Sequence, residues 1–256
     1  MDFNWVAFWS TIIAGISTGV GAIPIYFKQI FEKKHIDLGL GFSAGIMLVA
    51  SFTALILPSI DFAKTTYNTN IAIFPVLFAL LLGYIFIVGI HRKIPHQHLF
   101  KNTGKTDQKQ LTRTGLIILA ICLHNIPEGL SVGVGFGTGD NTSGVLLAAA
   151  ISLQNMPEGL VVALSLISIG ENKHRAFLIA LLTGLIEPIF ALFGFISATI
   201  TAYSLPVALA FAGGAMLFVV CQELFPELFK ASHEKNAMLG VLVGILTMFL
   251  LNYWLA

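Results

Sequence analysis

Charge is what this sequence has least of. Asp, Glu, Lys and Arg make up 11% of its 256 residues, while 56% are hydrophobic and the mean hydropathy is +0.86. A soluble domain carries about 25% charged residues, so a soluble globular protein is excluded. The net charge of +1 hides an asymmetry between the connections, and no nucleic-acid partner is expected. Cysteine is scarce too: Cys122 and Cys221 both lie inside apolar runs and read as packed core rather than a disulfide framework. The N-terminus, Met-Asp-Phe-Asn-Trp, lacks the basic region of a cleavable leader, so the first apolar run is expected to be a retained span.

What the chain does have is long apolar runs. A spanning helix needs about 20 mostly apolar residues, and eight runs qualify: 5–27, 38–60, 71–90, 114–136, 144–169, 175–200, 205–227 and 237–255. The expected fold is therefore all-α, one polytopic transmembrane domain over 1–256 in contact with the lipid bilayer. Thirteen of the fourteen basic residues fall in the first, third, fifth and seventh connections, and only Lys64 falls on the other side. The positive-inside rule puts those four connections in the cytoplasm and both termini outside a cell membrane. The one long polar connection, 91–113, carries His91, His96 and His98. It reads equally as a transient metal-binding loop and as a solvated loop with incidental histidines.

A faint internal echo runs through the spans. Ala44-Gly45-Ile46-Met47 leading to Pro58 parallels Ala212-Gly213-Gly214-Ala215 leading to Pro226. A five-span offset reverses the direction of the second copy, so the order is three spans, a central pair, then three inverted spans. Inverted repeats of this kind are typical of transporters, with the substrate near the midplane.

The strongest signal is a hexad written twice: His124-Asn125-Ile126-Pro127-Glu128-Gly129 and Gln154-Asn155-Met156-Pro157-Glu158-Gly159. On a helix, His124 and Glu128 share a face, Asn125 flanks them, and Gln154, Asn155 and Glu158 repeat the pattern. Glu187, followed by Pro188, offers a third carboxylate from span six. Glu223 and Glu227 also fall in an apolar run, the latter near its edge. At roughly 3 kcal/mol for each central charge, four unpaired acids would cost on the order of 12 kcal/mol. That rivals the whole stability of a domain. No lysine or arginine lies within a span to offset them, so a cation must come from elsewhere or the acids must be protonated. Pro127 and Pro157 are expected to kink their helices and free the carbonyls of Leu123 and Leu153 beside these groups. Two facing copies have room for two divalent ions bridged by the glutamates. One imidazole with carboxylate and amide oxygens suits Zn²⁺, Fe²⁺, Mn²⁺, Co²⁺ or Cd²⁺ better than Cu⁺, and Met47 would add at most one soft ligand. The metal is substrate, and no organic cofactor is expected.

The paired hexads, with Glu187-Pro188 after them, resemble the ZIP (Zrt-, Irt-like) divalent metal transporters, in their GufA-like branch. The resemblance covers all eight spans. It implies metal import by a homodimer in a three–two–three arrangement, with elevator-type alternating access. It implies a first metal position at His124, Glu128, Gln154 and Glu158, and a second at Asn125, Glu128, Asn155, Glu158 and Glu187, with Met47 as a further ligand. Glu223 with Gln222, and His91, His96 and His98, would line the cytoplasmic route, and Asp61 the outer entrance. Three positions depart from the pattern: Gln222 stands where His is frequent, His91 where Asp is usual, and Asn155 where some members have Asp.

The rival from another class is an intramembrane metal-dependent hydrolase, in which a glutamate activates metal-bound water. The His-Glu-x-x-His signature is absent and no serine sits beside the one core imidazole. A metal sensor or a channel-like path is a third possibility.

Overall fold

The computed structural model describes residues 4–27, 32–67, 71–93, 122, 125–139, 141–168, 170–201, 203–229 and 233–255. The described residues are helical, joined by turns, with no strand among them. Seven of their helices are long and apolar enough to cross a membrane. The expected loop from residue 94 onward, with His96 and His98, lies outside the described residues, and so does His124.

Helix α1 (Trp5–Ala22) starts where the Asn4 side chain accepts from the Ala7 amide at 3.1 Å, and tightens into a 3₁₀ turn at Ile23–Tyr26 around Pro24. Helix α2 (Lys33–Thr66) runs further at both ends than its apolar stretch, because polar residues continue the helix beyond hydrocarbon. Helix α3 is Ile73–Lys93, and α4 covers 125–137. Helix α5 (Asn141–Ser168) passes through Pro157 without a break. Helix α6 (Lys173–Thr199) is capped by Asn172 and interrupted at Leu185, shortly before Pro188, whose ring clashes with the Gly184 carbonyl. Helix α7 spans 204–229, and α8 is Glu234–Leu255.

Lipid is as apolar as leucine, so helices in a membrane associate through close packing at small residues. Here that packing repeats itself. A methyl added at Gly45 of α2 would strike the Val241 carbonyl of α8, and one at Gly244 the Phe42 carbonyl. A methyl at Gly214 of α7 would strike the Leu80 carbonyl of α3, and one at Gly83 the Phe211 carbonyl. The α2–α8 contact is thus reproduced, pair by pair, by the α7–α3 contact. In this register Phe42 of α2 is carried onto Phe211 of α7, and Gly45 onto Gly214.

A second feature follows the same register. Helix α2 widens into a π-helical turn at Ser51–Ile56 and α7 does so at Val220–Leu224. The register that carries Gly45 onto Gly214 also carries Ser51 onto Val220, so the two turns begin at equivalent positions. They end differently, because the first has six residues and the second five. An alignment anchored on Pro58 and Pro226, beyond the turns, therefore pairs Gly45 with Gly213 and Ala44 with Ala212. Upstream of the turns that pairing is off by one, and Gly45 corresponds to Gly214.

Candidate metal centre

Glu128, Gln154, Asn155 and Glu187 are buried to within 1% of complete, and Asn125 to within 2%. Gln154 Nε2 donates to Glu128 Oε1 at 2.8 Å, joining α5 to α4. Asn155 Nδ2 donates to Glu187 Oε1 at 2.6 Å and to the Ala14 carbonyl at 2.9 Å, joining α5 to α6 and α1. Asn125 Nδ2 donates to the Thr183 carbonyl at 2.6 Å, joining α4 to α6. Glu158, on α5, is half-buried and lies within electrostatic reach of both Glu128 and Glu187. Five of the residues marked out by the hexads and Glu187-Pro188 therefore form a connected set, with Glu158 at its border.

The amides spend their donors on carboxylates and carbonyls and leave their oxygens over. Glu128 Oε2, Glu187 Oε2, Gln154 Oε1 and Asn155 Oδ1 are all buried without a hydrogen bond. Buried polar atoms are rarely left so, and each such atom calls for an explanation. A group of orphaned oxygens in one buried region is an incomplete shell that only a donor or a cation completes. Hard oxygen donors with two or three negative charges suit a divalent cation. Among the described residues no three His, Cys, Asp or Glu side chains alone form a ligand cluster; the convergence is of carboxylates with amides.

The hexad glycines bring these helices together. A methyl at Gly129 would collide with the Glu187 carbonyl of α6, and one at Gly159 with the Thr18 carbonyl of α1. Each hexad thus seats its glutamate immediately before a backbone-to-backbone crossing. Ser43 of α2, fully buried, donates to the Gln154 carbonyl at 3.0 Å and holds the second hexad from the other side. This residue leaves little sign in the sequence, since a lone serine in an apolar run reads as a small contact. Replacing it, Ser43→Ala, removes one net hydrogen bond and should cost about 1 kcal/mol; thermal unfolding in detergent checks this.

The remaining candidates have other surroundings. Met47 is fully buried in the largest apolar cluster. Asp61, exposed near the end of α2, pairs with Lys64 at 2.9 Å. Gln222 sits in the π turn of α7 and donates to the Tyr84 hydroxyl at 3.1 Å. Glu223 shares that turn and His91 lies on α3, but the side chains of both are outside the described set. Pro127 is buried on α4, and Ser131 donates to its carbonyl at 2.6 Å. A further pair, marked by no motif, joins α2 to the start of α8: buried Asp37 lies 3.3 Å from the His233 ring and accepts from the His233 amide at 3.3 Å.

Comparison with known proteins matches this chain to one family. The family model described as ZIP Zinc transporter matches residues 91–252. The chain is 35% identical to the zinc transporter GufA of Myxococcus xanthus, over 95% of its own length and 96% of the relative's. It is 38% identical to the zinc transporter ZIPB of Bordetella bronchiseptica, over 92% and 77%, and 30% identical to the zinc transporter ZIP11 of Homo sapiens, over 92% and 93%. The family and these relatives are described as transporters, which removes the hydrolase alternative. The chain belongs to the ZIP family, in its GufA-like branch.

Proposed function

We propose that this protein carries divalent transition-metal ions, zinc foremost, across a cell membrane into the cytoplasm through the site between α4 and α5. The observation that carries this is the set of orphaned oxygens on Glu128, Glu187, Gln154 and Asn155, buried where no protein cation is found among the described residues. The relatives' description as zinc transporters supports the choice of metal. Cadmium, iron and manganese fit the same ligand chemistry.

Two metal positions bridged by Glu128 and Glu158 fit the duplicated hexad. The first would take His124, Glu128, Gln154 and Glu158, and the second Asn125, Glu128, Asn155, Glu158 and Glu187, with Met47 as a further ligand. Asp61 would gather metal outside, and Glu223, Gln222, His91, His96 and His98 would receive it inside.

Elevator-type alternating access fits the way the helices pack. Glycines that admit a neighbour's backbone carbonyl join α1, α4, α5 and α6 to one another, and join α2 to α8 and α3 to α7 as two pairs. Across the two sets, Gly39 of α2 meets only the Pro157 residue. One four-helix group closed at backbone level suits a carrier in which that group slides against the remaining helices. The halves are related by an operation that exchanges α4 with α5. These are consecutive spans of opposite direction, so the operation inverts the membrane axis, as a three–two–three inverted repeat requires. A homodimer with both termini outside completes the reading.

Metal-competition uptake in vesicles, with a proton gradient imposed and then collapsed, tests this function. Saturable uptake of zinc that Cd²⁺ inhibits supports it; non-saturating flux would indicate a pore. Histidine and carboxylates must lose protons to bind metal, so uptake should fall as the pH drops even after the gradient has collapsed.

Asn155→Asp separates affinity from stability at this site. The aspartate cannot donate to Glu187 or to the Ala14 carbonyl, and it adds a negative charge beside Glu187. The metal-free protein should lose about 2 kcal/mol, and zinc should restore it. The check is a thermal melt with and without zinc, in which the variant shows the larger metal-induced rise.

A further inference from the structure

The register that relates α2 to α7 also relates α1 to α6, and it singles out a residue that neither the hexads nor the family pattern marks. Asn155 donates to the Ala14 carbonyl of α1, and Asn125 donates to the Thr183 carbonyl of α6. Ala14 and Thr183 stand in the same register as Gly45 and Gly214. Gly159 abuts the Thr18 carbonyl and Gly129 abuts the Glu187 carbonyl, and Thr18 and Glu187 keep that register too. Gly15 and Gly184 each admit the other's carbonyl where α1 crosses α6, so the two helices meet through equivalent residues. Thr18 is therefore the counterpart of Glu187. Asn155 donates to the carboxylate of Glu187; the corresponding hydrogen bond from Asn125 to Thr18 is not made, and Thr18 Oγ1 is left without a partner.

The Thr18 hydroxyl behaves unlike the others. Threonine in a helix ordinarily bonds back to the carbonyl three or four residues earlier. Every other buried serine or threonine among the described residues bonds to a backbone carbonyl: Thr11, Ser17, Ser51 and Ser59 in the first two helices, and Ser43, Ser131, Ser165 and Thr183 at or beyond the site. Thr18 is 2% exposed and its Oγ1 has no partner. One of the two carbonyls within its reach, that of Ala14, accepts from Asn155 at 2.9 Å. Its side chain lies over Gly184, where an added Cβ would sit 2.6 Å from Oγ1. Helix α1 reaches the site on both sides of it, since the Ala14 carbonyl accepts from Asn155 and the Thr18 carbonyl abuts Gly159.

We propose that the Thr18 hydroxyl is an oxygen donor to the transported cation from α1, on the Asn125 side of the site, in the place that Glu187 fills from α6. It supplies coordination without charge, so the two sides of the site differ in acidity while keeping the same geometry. This rests on the reading of the hexads as a divalent-metal site.

The test uses purified full-length protein in detergent, with Zn²⁺, Cd²⁺ and Mn²⁺ as probes. Thr18→Val keeps the shape and removes the oxygen, and should weaken zinc binding about tenfold, the scale of losing one supporting ligand group. Thr18→Ser should bind as the wild type does. Thr18→Cys places a thiol at the same point, and should raise the preference for Cd²⁺ over Mn²⁺ and add ultraviolet cadmium–thiolate absorption. Cys122 and Cys221 are common to both proteins and cancel in the difference spectrum. A folded Thr18→Cys protein with wild-type metal preference and no new absorption overturns the proposal. Glu158→Ala is run in parallel: if it binds zinc like the wild type, the hexad site itself is wrong, an outcome separate from Thr18 failing alone.

Discussion

Glu128→Ala and Glu158→Ala should each abolish zinc and cadmium uptake by reconstituted liposomes, leaving a rate indistinguishable from protein-free vesicles. Both glutamates belong to both proposed metal positions, so removing either takes a negative charge from each bound ion. Glu128 is fully buried, held at one oxygen by Gln154 and unpartnered at the other. A charged ligand in a low-dielectric site contributes several kcal/mol of attraction. Because about 1.4 kcal/mol corresponds to a tenfold change in affinity, losing one such ligand takes binding out of the working range rather than lowering it slightly. A buried carboxylate with no cation is itself unfavourable, so the metal-free Glu128→Ala protein should be at least as stable as the wild type. Lost transport together with retained or raised stability is the signature of a ligand. Lost transport with lost stability would point to a purely structural glutamate, and uptake unchanged in both variants would remove the hexads from the site.

The second large effect is expected at residues that touch no ligand. Gly129→Ala and Gly159→Ala should each cost about 1–3 kcal/mol or more, the range for overpacking, because the methyl meets backbone rather than a side chain that can turn aside. The neighbour must move as a whole helix, and its movement carries Glu187 or Thr18 with it. Gly89→Ala is the control: a Cβ there meets nothing within 4 Å, and alanine is the better helix former. Melting in detergent should show falls of similar size for the two hexad glycines and no fall for Gly89→Ala. A hexad variant as stable as the Gly89 control would mean that the helix crossings can open without cost.

Much of the site was legible in the sequence because its chemistry is out of place in hydrocarbon. Acids, amides and an imidazole within apolar runs stand out, and helical spacing alone puts Asn125 beside Glu128 and Asn155 beside Glu158. Glu187 was legible because it precedes a proline, and the break at Leu185 places it at the start of a helical segment. The register of the repeat came out one residue off, because it was anchored on prolines that lie beyond π turns of unequal length. Nothing in composition encodes how many residues such a turn contains. Thr18 and Ser43 escaped notice for another reason. A hydroxyl in an apolar helix is ordinarily satisfied by its own backbone, and only the packing shows that Thr18 is not, with one of its nearby carbonyls accepting from Asn155. Asp37 and His233 are far apart in sequence, and only the packing of α2 on α8 brings them together.

Whether the two hexads form one cation site is decided most directly by equilibrium zinc binding to the purified protein. The measurement compares wild type with the Glu128→Ala, Glu158→Ala double variant at neutral pH. Zinc should bind the wild type and be displaced by cadmium, with no binding at the hexads in the folded double variant. Zinc bound equally by both proteins, with the same stoichiometry and affinity, would contradict a shared site.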